Sequence, residues 1–410
     1  MKKKYVIIGG GTASIGCIEG IRSVDKEGDI TLISGENHHV YGRPLISYYL
    51  EGKTDLERIK YRPDDFYEKN NVSLIFDTAE KIDSEKKTVT LSSGKKVEYT
   101  ELMVSTGSKP FVPPFEGLDT APKKFTFLTL DDALTLEKEL KPDSKVLIIG
   151  AGLIGLKCAE GIKDRVGKIT VCDLATRVLS SIFDDECAEI MQKHMESEGI
   201  EFLLGDSAVK FEGNTAEMKS GKKIHFDILV IAVGVRPNVE LIKEIGGEVD
   251  RGIKVNEKMQ TSLKNIYSAG DCSEGYDMSI DADRILAILP NAYIGAKCGG
   301  INMAGGEASV EDAIPMNSIG FFGLHAMSAG SYEGEEYKEK TEKSIKKLFV
   351  KDGLLKGFII IGDTKGTGIY TSLIRNKTQL SQLDFEAVKK NPSLAAFSQE
   401  YRKEKLGGVV

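Results

Sequence analysis

The chain has 410 residues, 41% of them apolar and 29% charged, and carries a formal charge of −7. That length allows more than one hydrophobic core, and the net negative charge excludes a general attraction to nucleic acid or to an anionic membrane surface. Lysines at positions 2–4 precede an apolar run that three glycines cut short, so the start does not read as a secretion signal. No stretch reaches the roughly 18 apolar residues of a membrane span, and the expected location is cytoplasmic.

Residues 4–8 read as a buried parallel strand and 12–25 as the helix that leaves a glycine turn. "DITLISGE" is a second strand ending on an acid, and short strands with polar turns then run to Gly107. "KPFVPPFEG" is a proline-rich crossing and a natural domain boundary. The cycle repeats from "SKVLIIGAG": "KITVCD" is a strand ending on Asp173, and "CAEIMQKHMESEG" is a helix closed by Gly199. "HFDILVIAVGVRPN" resembles 100–110, and "NIYSAGDCSEG" supplies a third strand-to-turn junction. Residues 290–305 read as helix, 315–375 as mixed strand and helix, and 380–410 as a polar tail, helical in part, with a mobile end. This repetition of βαβ units predicts an α/β fold with two Rossmann-like FAD/NAD(P)-binding domains, the second inserted in the first, plus a C-terminal α+β domain. The expected boundaries are 1–112 with 240–314 for the first domain, 113–239 for the second and 315–410 for the third.

In the first glycine fingerprint Gly9 makes the tight turn and Gly11 lets the backbone approach a pyrophosphate, with Thr12 and Ala13 opening the helix. Ser14 stands at the third glycine position, where close helix–strand packing is needed, and Glu36 is placed to accept ribose hydroxyls. The second fingerprint has Gly150, Gly152 and Gly155, with Leu153 and Ile154 between the last two. Its acid, Asp173, favours the free 2′-hydroxyl of NAD over the 2′-phosphate of NADP, and Arg177 is placed to soften that repulsion. Two such sites suit one dinucleotide held permanently and one that comes and goes. FAD is the expected resident, because a flavin takes two electrons at once and releases them singly. Cys17, Cys158, Cys172, Cys187, Cys272 and Cys298 form no CxxC pair, so neither a metal site nor a dithiol centre is expected; Cys158 and Cys172 read as core residues.

With "GGGTAS" and Glu36, "STGSKP", "GAGLIG" and Asp173, "AVGVRP" and "TSLKNIYSAGD", the sequence closely resembles the pyridine nucleotide–disulfide oxidoreductase family over roughly residues 3–375. The resemblance implies that Asp271 holds the flavin's ribityl chain. It also implies FAD contacts from Ala79, Ser105, Thr106, Gly107, Pro290 and Asn291, and NAD contacts from Val233 and Gly234. "HHVYGRPLISYYLEGK" looks like the "Y-x-R-P-x-L-S" stretch of the NADH:rubredoxin reductase, nitrite reductase flavin-subunit and ferredoxin reductase branches. There Arg43 would neutralise phosphate charge and Pro44 would pack near the ring, with Ser47 and Lys53 as weaker candidates.

Three departures shape the functional expectation. Residues 38–53 contain no cysteine, so thiol-mediated reduction of disulfides or peroxides loses its mechanism. Lys157 stands where the family commonly has glutamate, with Glu160 one turn on, and reads either as a nicotinamide neighbour or as a helix-surface residue. "MNSIGFFGLHAMSAG" replaces the "W-S-D-Q" type of tail, with Phe321 and Phe322 open between shielding the flavin and filling a core. The flavin itself carries the chemistry, and no side chain is assigned as catalytic. The expected activity is hydride transfer from NADH to FAD, then electron delivery to a rubredoxin or ferredoxin-type carrier. The alternatives are an NADH oxidase, or the electron-transfer subunit of a larger redox complex serving nitrite reductase or carbon monoxide dehydrogenase. Lys338, Lys340, Lys343, Lys346 and Lys347 read either as a docking patch for an acidic carrier or as a solvated helix face, and the oligomeric state stays open between monomer and homodimer.

Overall fold

The computed structural model describes residues 2–397 and Arg402. The expected mobile chain end falls on 398–410, which apart from Arg402 lie outside the described residues. Two compact units are present: Met1–Thr176 with Ile200–Asp277 and Ala282–Glu311, and Arg177–Gly199 with Met278–Asp281 and Asp312–Val410.

The first unit holds two five-stranded sheets of the same design. In one, β1 (Lys4–Ile8), β2 (Asp29–Ser34), β3 (Val72–Phe76), β4 (Glu101–Val104) and a later strand, Ile266–Ser268, lie in the order Ile266–Ser268, β4, β1, β2, β3. The strand "KYVII" is apolar almost throughout because both faces are covered. Tyr5 and Ile7 join a core with the helix α1 (Thr12–Val24), while Val6 and Ile8 pack with Val89, Leu91, Leu102 and Val104. Each such fully buried aliphatic contributes roughly 1.5–3 kcal/mol. A short helix, α2 (Ile46–Leu50), follows Pro44, and a short strand, β5 (Ser108–Pro110), leaves this sheet.

The second sheet repeats the plan. It contains β6 (Lys124–Phe125), β7 (Lys145–Ile149), β8 (Lys168–Asp173), β9 (Ile200–Leu204) and β10 (Ile228–Ile231) in the order β9, β8, β7, β10, β6. The helix α3 (Leu153–Ile162) leaves its first central strand, as α1 does in the other sheet. Chain order thus runs outward from the middle and switches back in both sheets, opening a crevice at the strands' carboxyl ends. The crossings are joined: β5 pairs antiparallel with β11 (Val235–Pro237), register Ser108↔Pro237, Lys109↔Arg236, Pro110↔Val235. Ile266–Ser268 is β12.

α5 (Leu289–Ala304), expected at 290–305, lies directly against α1. A Cβ on Gly16 would sit 2.3 Å from the Tyr293 carbonyl oxygen, and one on Gly20 2.2 Å from that of Lys297. One on Gly300 would sit 2.3 Å from that of Cys17. The two backbones touch, as in small-residue helix pairs.

The second unit pairs a helix, α4 (Asp185–Ser197), with an antiparallel sheet. That sheet is β13 (Met316–Phe321), β14 (Leu324–Gly330), β15 (Glu335–Lys340), β16 (Ile345–Lys351) and β17 (Leu354–Ile361), ordered β13, β14, β17, β16, β15. Asp184 caps α4 by accepting from the Cys187 N–H at 3.0 Å.

The lysine cluster lies on a β-hairpin, not a helix, with Lys338, Lys340 and Lys347 on one face and Lys346 on the other, and the charge of these four is largely neutralised. Lys347 is 4% exposed and lies 2.7 Å from Asp184, 2.8 Å from Glu186 and 3.4 Å from Glu336. Lys338 and Lys340 also reach Glu186, at 3.1 and 3.2 Å, and Lys346 reaches Glu339 at 3.1 Å. Three lysines converging on it hold the Glu186 carboxyl down at about 2. Lys338, Lys340 and Lys347 anchor α4 to the sheet, and Lys346 is tied within the hairpin, so the four do not form a free basic patch. Lys347→Ala is expected to cost about 2 kcal/mol in chemical denaturation, less than for a fully buried pair because the carboxylates keep partial solvent contact. An unchanged midpoint would show that solvent already screens these pairs.

Candidate functional site

The residues singled out in the first fingerprint gather at the carboxyl ends of β1, β2, β4 and β12. Gly9 has φ +113°, and a Cβ there would lie 2.1 Å from the Ser105 carbonyl oxygen. Gly10, which sequence reasoning passed over, is equally constrained, its Cβ position lying 2.2 Å from Ser34 Oγ. A Cβ on Gly11 meets nothing within 4 Å. Ser14 is tolerated at the third position because its hydroxyl donates to the Gly11 carbonyl at 2.7 Å. Ser105 Oγ donates to the Ile8 carbonyl at 3.0 Å, and Thr106 is clamped to Asn238 by bonds of 2.7 and 2.9 Å. Gly107 accepts from the Asn238 N–H at 2.9 Å. Asn238 lies within the quoted "VRPN", but its role depends on the β5–β11 pairing and has no local signal.

Glu36 lies just past β2, and both of its oxygens already have partners. Arg43 donates to one at 2.5 Å and the Tyr41 hydroxyl to the other at 2.6 Å. Tyr41 in turn accepts from the Leu130 N–H at 2.8 Å, and Arg43 donates to the Leu128 carbonyl at 3.0 Å. Arg43 is therefore part of a fixed triad as well as a cation at the crevice. Asp271 follows β12, and Gly270 before it fits between Ala13 and Ala292, with Cβ distances of 3.5 and 3.7 Å. Burial pushes the Asp271 carboxyl up, with Arg43 pulling against it. Ala79 opens the strand Ala79–Asp83, Pro44 lies in the first turn of Arg43–Leu45, and Pro290 and Asn291 lie in the first turn of α5.

The second set gathers at the ends of β7, β8 and β10. Gly150 has φ +116°, its Cβ position 2.2 Å from the Ala232 carbonyl oxygen and 3.2 Å from the Val233 nitrogen. Gly155 presses on Gly150, at 2.1 Å, while Gly152 and Gly234 have nothing within 4 Å of theirs. Leu153 and Ile154 are the first two residues of α3. Asp173 accepts from the Ala151 N–H at 2.7 Å and the Ala175 N–H at 2.8 Å, which fixes the acid against the glycine turn. Arg177 belongs to the other compact unit, where it bonds Asp185 at 3.0 Å and the Phe183 carbonyl at 3.1 Å.

The helix starts test the fit of phosphate-bearing cofactors. α4 has a side-chain cap, Asp184, whereas α1, α3 and α5 have none. No N-cap side chain closes these three starts, and a Cβ at Gly11 or Gly152 would meet nothing within 4 Å. Such ends suit anions, and the residues fit two dinucleotides.

Lys157 is not a solvated helix-surface residue. Its ammonium lies 2.5 Å from Glu160 and 4.7 Å from the Tyr48 ring centroid. Lys53 pairs with Glu51 and lies 6.0 Å from the same ring. Phe321 is fully buried, in the core. Phe322 and Gly323, with φ +49° and +84°, close the two-residue hairpin between β13 and β14, and His194 Nε2 lies 3.1 Å from both the Phe321 and Phe322 carbonyls. Carbonyls only accept, so that nitrogen carries the proton.

All six cysteines are free and buried, and burial raises the Cys17, Cys158 and Cys272 thiols. A thiol reagent is accordingly expected to modify none of them until the protein unfolds. Titration of even one equivalent in the native state would contradict this.

The sequence matches the pyridine nucleotide-disulphide oxidoreductase family over residues 3–293 and the rubredoxin NAD+ reductase C-terminal domain over 315–378. It is 32% identical to the NADH-dependent phenylglyoxylate dehydrogenase subunit epsilon of Aromatoleum evansii, covering 93% of each chain. It is 29% identical to the NADH-rubredoxin oxidoreductase of Clostridium acetobutylicum, over 93% of this chain and 97% of that one. The nitrite reductase of Bacillus subtilis is 32% identical over 93% of this chain, which spans only 48% of that longer protein. The structure of the covalent putidaredoxin reductase–putidaredoxin complex superposes with a TM-score of 0.88 at 23% identity, covering 96% of this chain and 99% of that one, and shares the fold. The chain belongs to the pyridine nucleotide–disulphide oxidoreductase family. It is an NADH-dependent oxidoreductase that works with FAD, as the two fingerprints lead one to expect. Among the described residues no helix is long and apolar enough to cross a membrane.

Proposed function

We propose that the protein takes hydride from NADH onto FAD and passes electrons singly to a small rubredoxin-type or iron–sulfur carrier in the cytoplasm. The observation that carries this reading is the state of the cysteines: all six are buried, and none stands in 38–53. Electrons then leave the flavin without a thiol relay. The match to a rubredoxin reductase C-terminal domain and the Clostridium acetobutylicum relative support the choice of carrier.

The backbone N–H groups after Gly11, at Thr12 and Ala13, hold the FAD pyrophosphate, and those after Gly152, at Leu153 and Ile154, hold that of NADH. Asp271 accepts hydrogen bonds from the ribityl hydroxyls. Glu36 keeps lone pairs for a ribose beside those given to Arg43 and Tyr41, and Asp173 keeps one on each oxygen for the NADH ribose. Ser105, Thr106 and Gly107 form a fixed wall, and the start of α5, where Pro290 has no N–H and Leu289 and Asn291 do, faces developing negative charge on the ring. Bound FAD supplies two-electron acceptance and one-electron release.

A second reading, the electron-transfer subunit of a larger redox complex, is favoured by the phenylglyoxylate dehydrogenase subunit, matched end to end. The deciding experiment is anaerobic. Flavin absorbance is followed on adding NADH, then on adding rubredoxin, ferredoxin or air. Fast reoxidation by a carrier protein supports the proposal. Reoxidation fastest in air points to an NADH oxidase, and slow reoxidation by all three points to a complex subunit.

A further inference from the structure

We infer that Lys157 is a positioning residue for the hydride-transfer site, a fixed cation that biases the exchange from NADH toward flavin. The inference rests on the function proposed above. In the overall exchange NADH and FAD become NAD+ and FADH−, the hydride carrying both electrons and the proton. A positive charge therefore appears on the nicotinamide and a negative one on the flavin. A neighbouring cation opposes the first and favours the second, so both effects drive the reaction the same way.

Three features put Lys157 at the right place. It lies on α3 just past the NADH glycine turn, and its ammonium faces Tyr48 on α2, the helix that directly follows Arg43 and Pro44. These two helices are in close contact: a Cβ on Gly161 would lie 2.7 Å from the Ser47 carbonyl oxygen. Lys157 thus occupies the seam between the segment assigned to FAD and the helix assigned to NADH. Finally, the pair is sheltered, with side-chain exposures of 18% for Lys157 and 5% for Glu160. Drawing such a pair out of water is costly unless the geometry is well held. Glu160 supplies the ion pair and the Tyr48 face supplies a cation–π contact that leaves the charge in place. A lysine serving only to join two helices needs neither shelter nor an acid one turn away, since a well-packed apolar residue does that as well.

The test uses the holoenzyme with Lys157→Met, Lys157→Arg and Glu160→Gln. Two quantities are read: the midpoint potential of the bound flavin, by dye equilibration without nucleotide, and the NAD+ inhibition constant against NADH. Lys157→Met is expected to lower the potential and to tighten NAD+ inhibition about tenfold. Glu160→Gln removes the carboxylate charge beside the ammonium and is expected to shift both the opposite way, while Lys157→Arg stays near wild type. Potentials that do not move in Lys157→Met, or that move in the same direction in Lys157→Met and Glu160→Gln, overturn the inference. If Glu160→Gln fails to fold, the Met and Arg pair still decides. Bleaching by NADH and reoxidation by rubredoxin are read on wild type alone. Failure there removes the proposed function, whereas an active wild type with unmoved variants removes only the role of Lys157.

Discussion

Gly152→Val is expected to give a folded, yellow protein whose flavin NADH no longer bleaches, and Gly11→Val a folded protein that purifies without flavin. Both residues precede helices in extended conformations, φ −85° and −94°, that valine adopts without strain. A Cβ at either position touches no protein atom within 4 Å, so the fold has no reason to object. On the proposed function the added side chain instead stands where a pyrophosphate meets the helix N–H groups. Two lost charge-assisted hydrogen bonds, at about 1.5–3 kcal/mol each, weaken binding on the order of a hundredfold or more. Gly9→Ala and Gly150→Ala serve as controls of the other kind. Their Cβ atoms fall 2.1 and 2.2 Å from backbone oxygens at φ +113° and +116°, so these variants are expected to lose stability first. Circular dichroism and flavin content separate the outcomes. A Gly152→Val enzyme with a normal NADH Michaelis constant would mean that the nucleotide enters elsewhere.

Asp271→Ala is expected to loosen FAD by one to two orders of magnitude, because on the proposed function the polyol hydroxyls lose a charged acceptor worth about 1.5–3 kcal/mol. The pH dependence has a definite sign. Burial raises the Asp271 carboxyl above its ordinary 3.8, so in FAD-stripped protein the folded state holds this proton more tightly than the unfolded chain. Its contribution to stability is full below about 3.8 and is lost as pH rises through the folded value. Hydroxyl donors favour the ionised form, so FAD binding releases this proton and FAD retention should fall as pH drops through the same window. Asp271→Asn should flatten that dependence. Equal FAD dissociation constants for wild type and Asp271→Ala would remove the residue from the site.

Much of this was legible in the sequence because the signals are local. Strand, glycine turn and helix are contiguous, so both βαβ units and the helix Leu289–Ala304 could be read from short windows. What was not legible depends on partners distant in the chain. Lys347 looks like one more surface lysine until Asp184 and Glu186 are brought to it by α4. The alternation of Lys and Glu at 338–340 ends a strand, Glu335–Lys340, yet it carries no apolar face to announce one. Lys157 was placed on the right helix, but only Tyr48 shows why it is sheltered. The sequence places Glu36 to accept ribose hydroxyls, and no local pattern says that Arg43 and Tyr41 both donate to it.

The contact of α1 with α5 has an electrostatic consequence. Gly16 meets Tyr293 and Gly20 meets Lys297, so the helices run in parallel, and their first turns flank Gly270. Each helix start carries about half a positive charge, and here neither is offset by a capping side chain. Two like poles are held side by side by backbone contact and cannot relax apart. Negative charge at this end of the first unit is therefore favoured by both helix starts at once. On the proposed function, FAD brings its diphosphate to one of these poles and its ring to the other, so a single cofactor answers both.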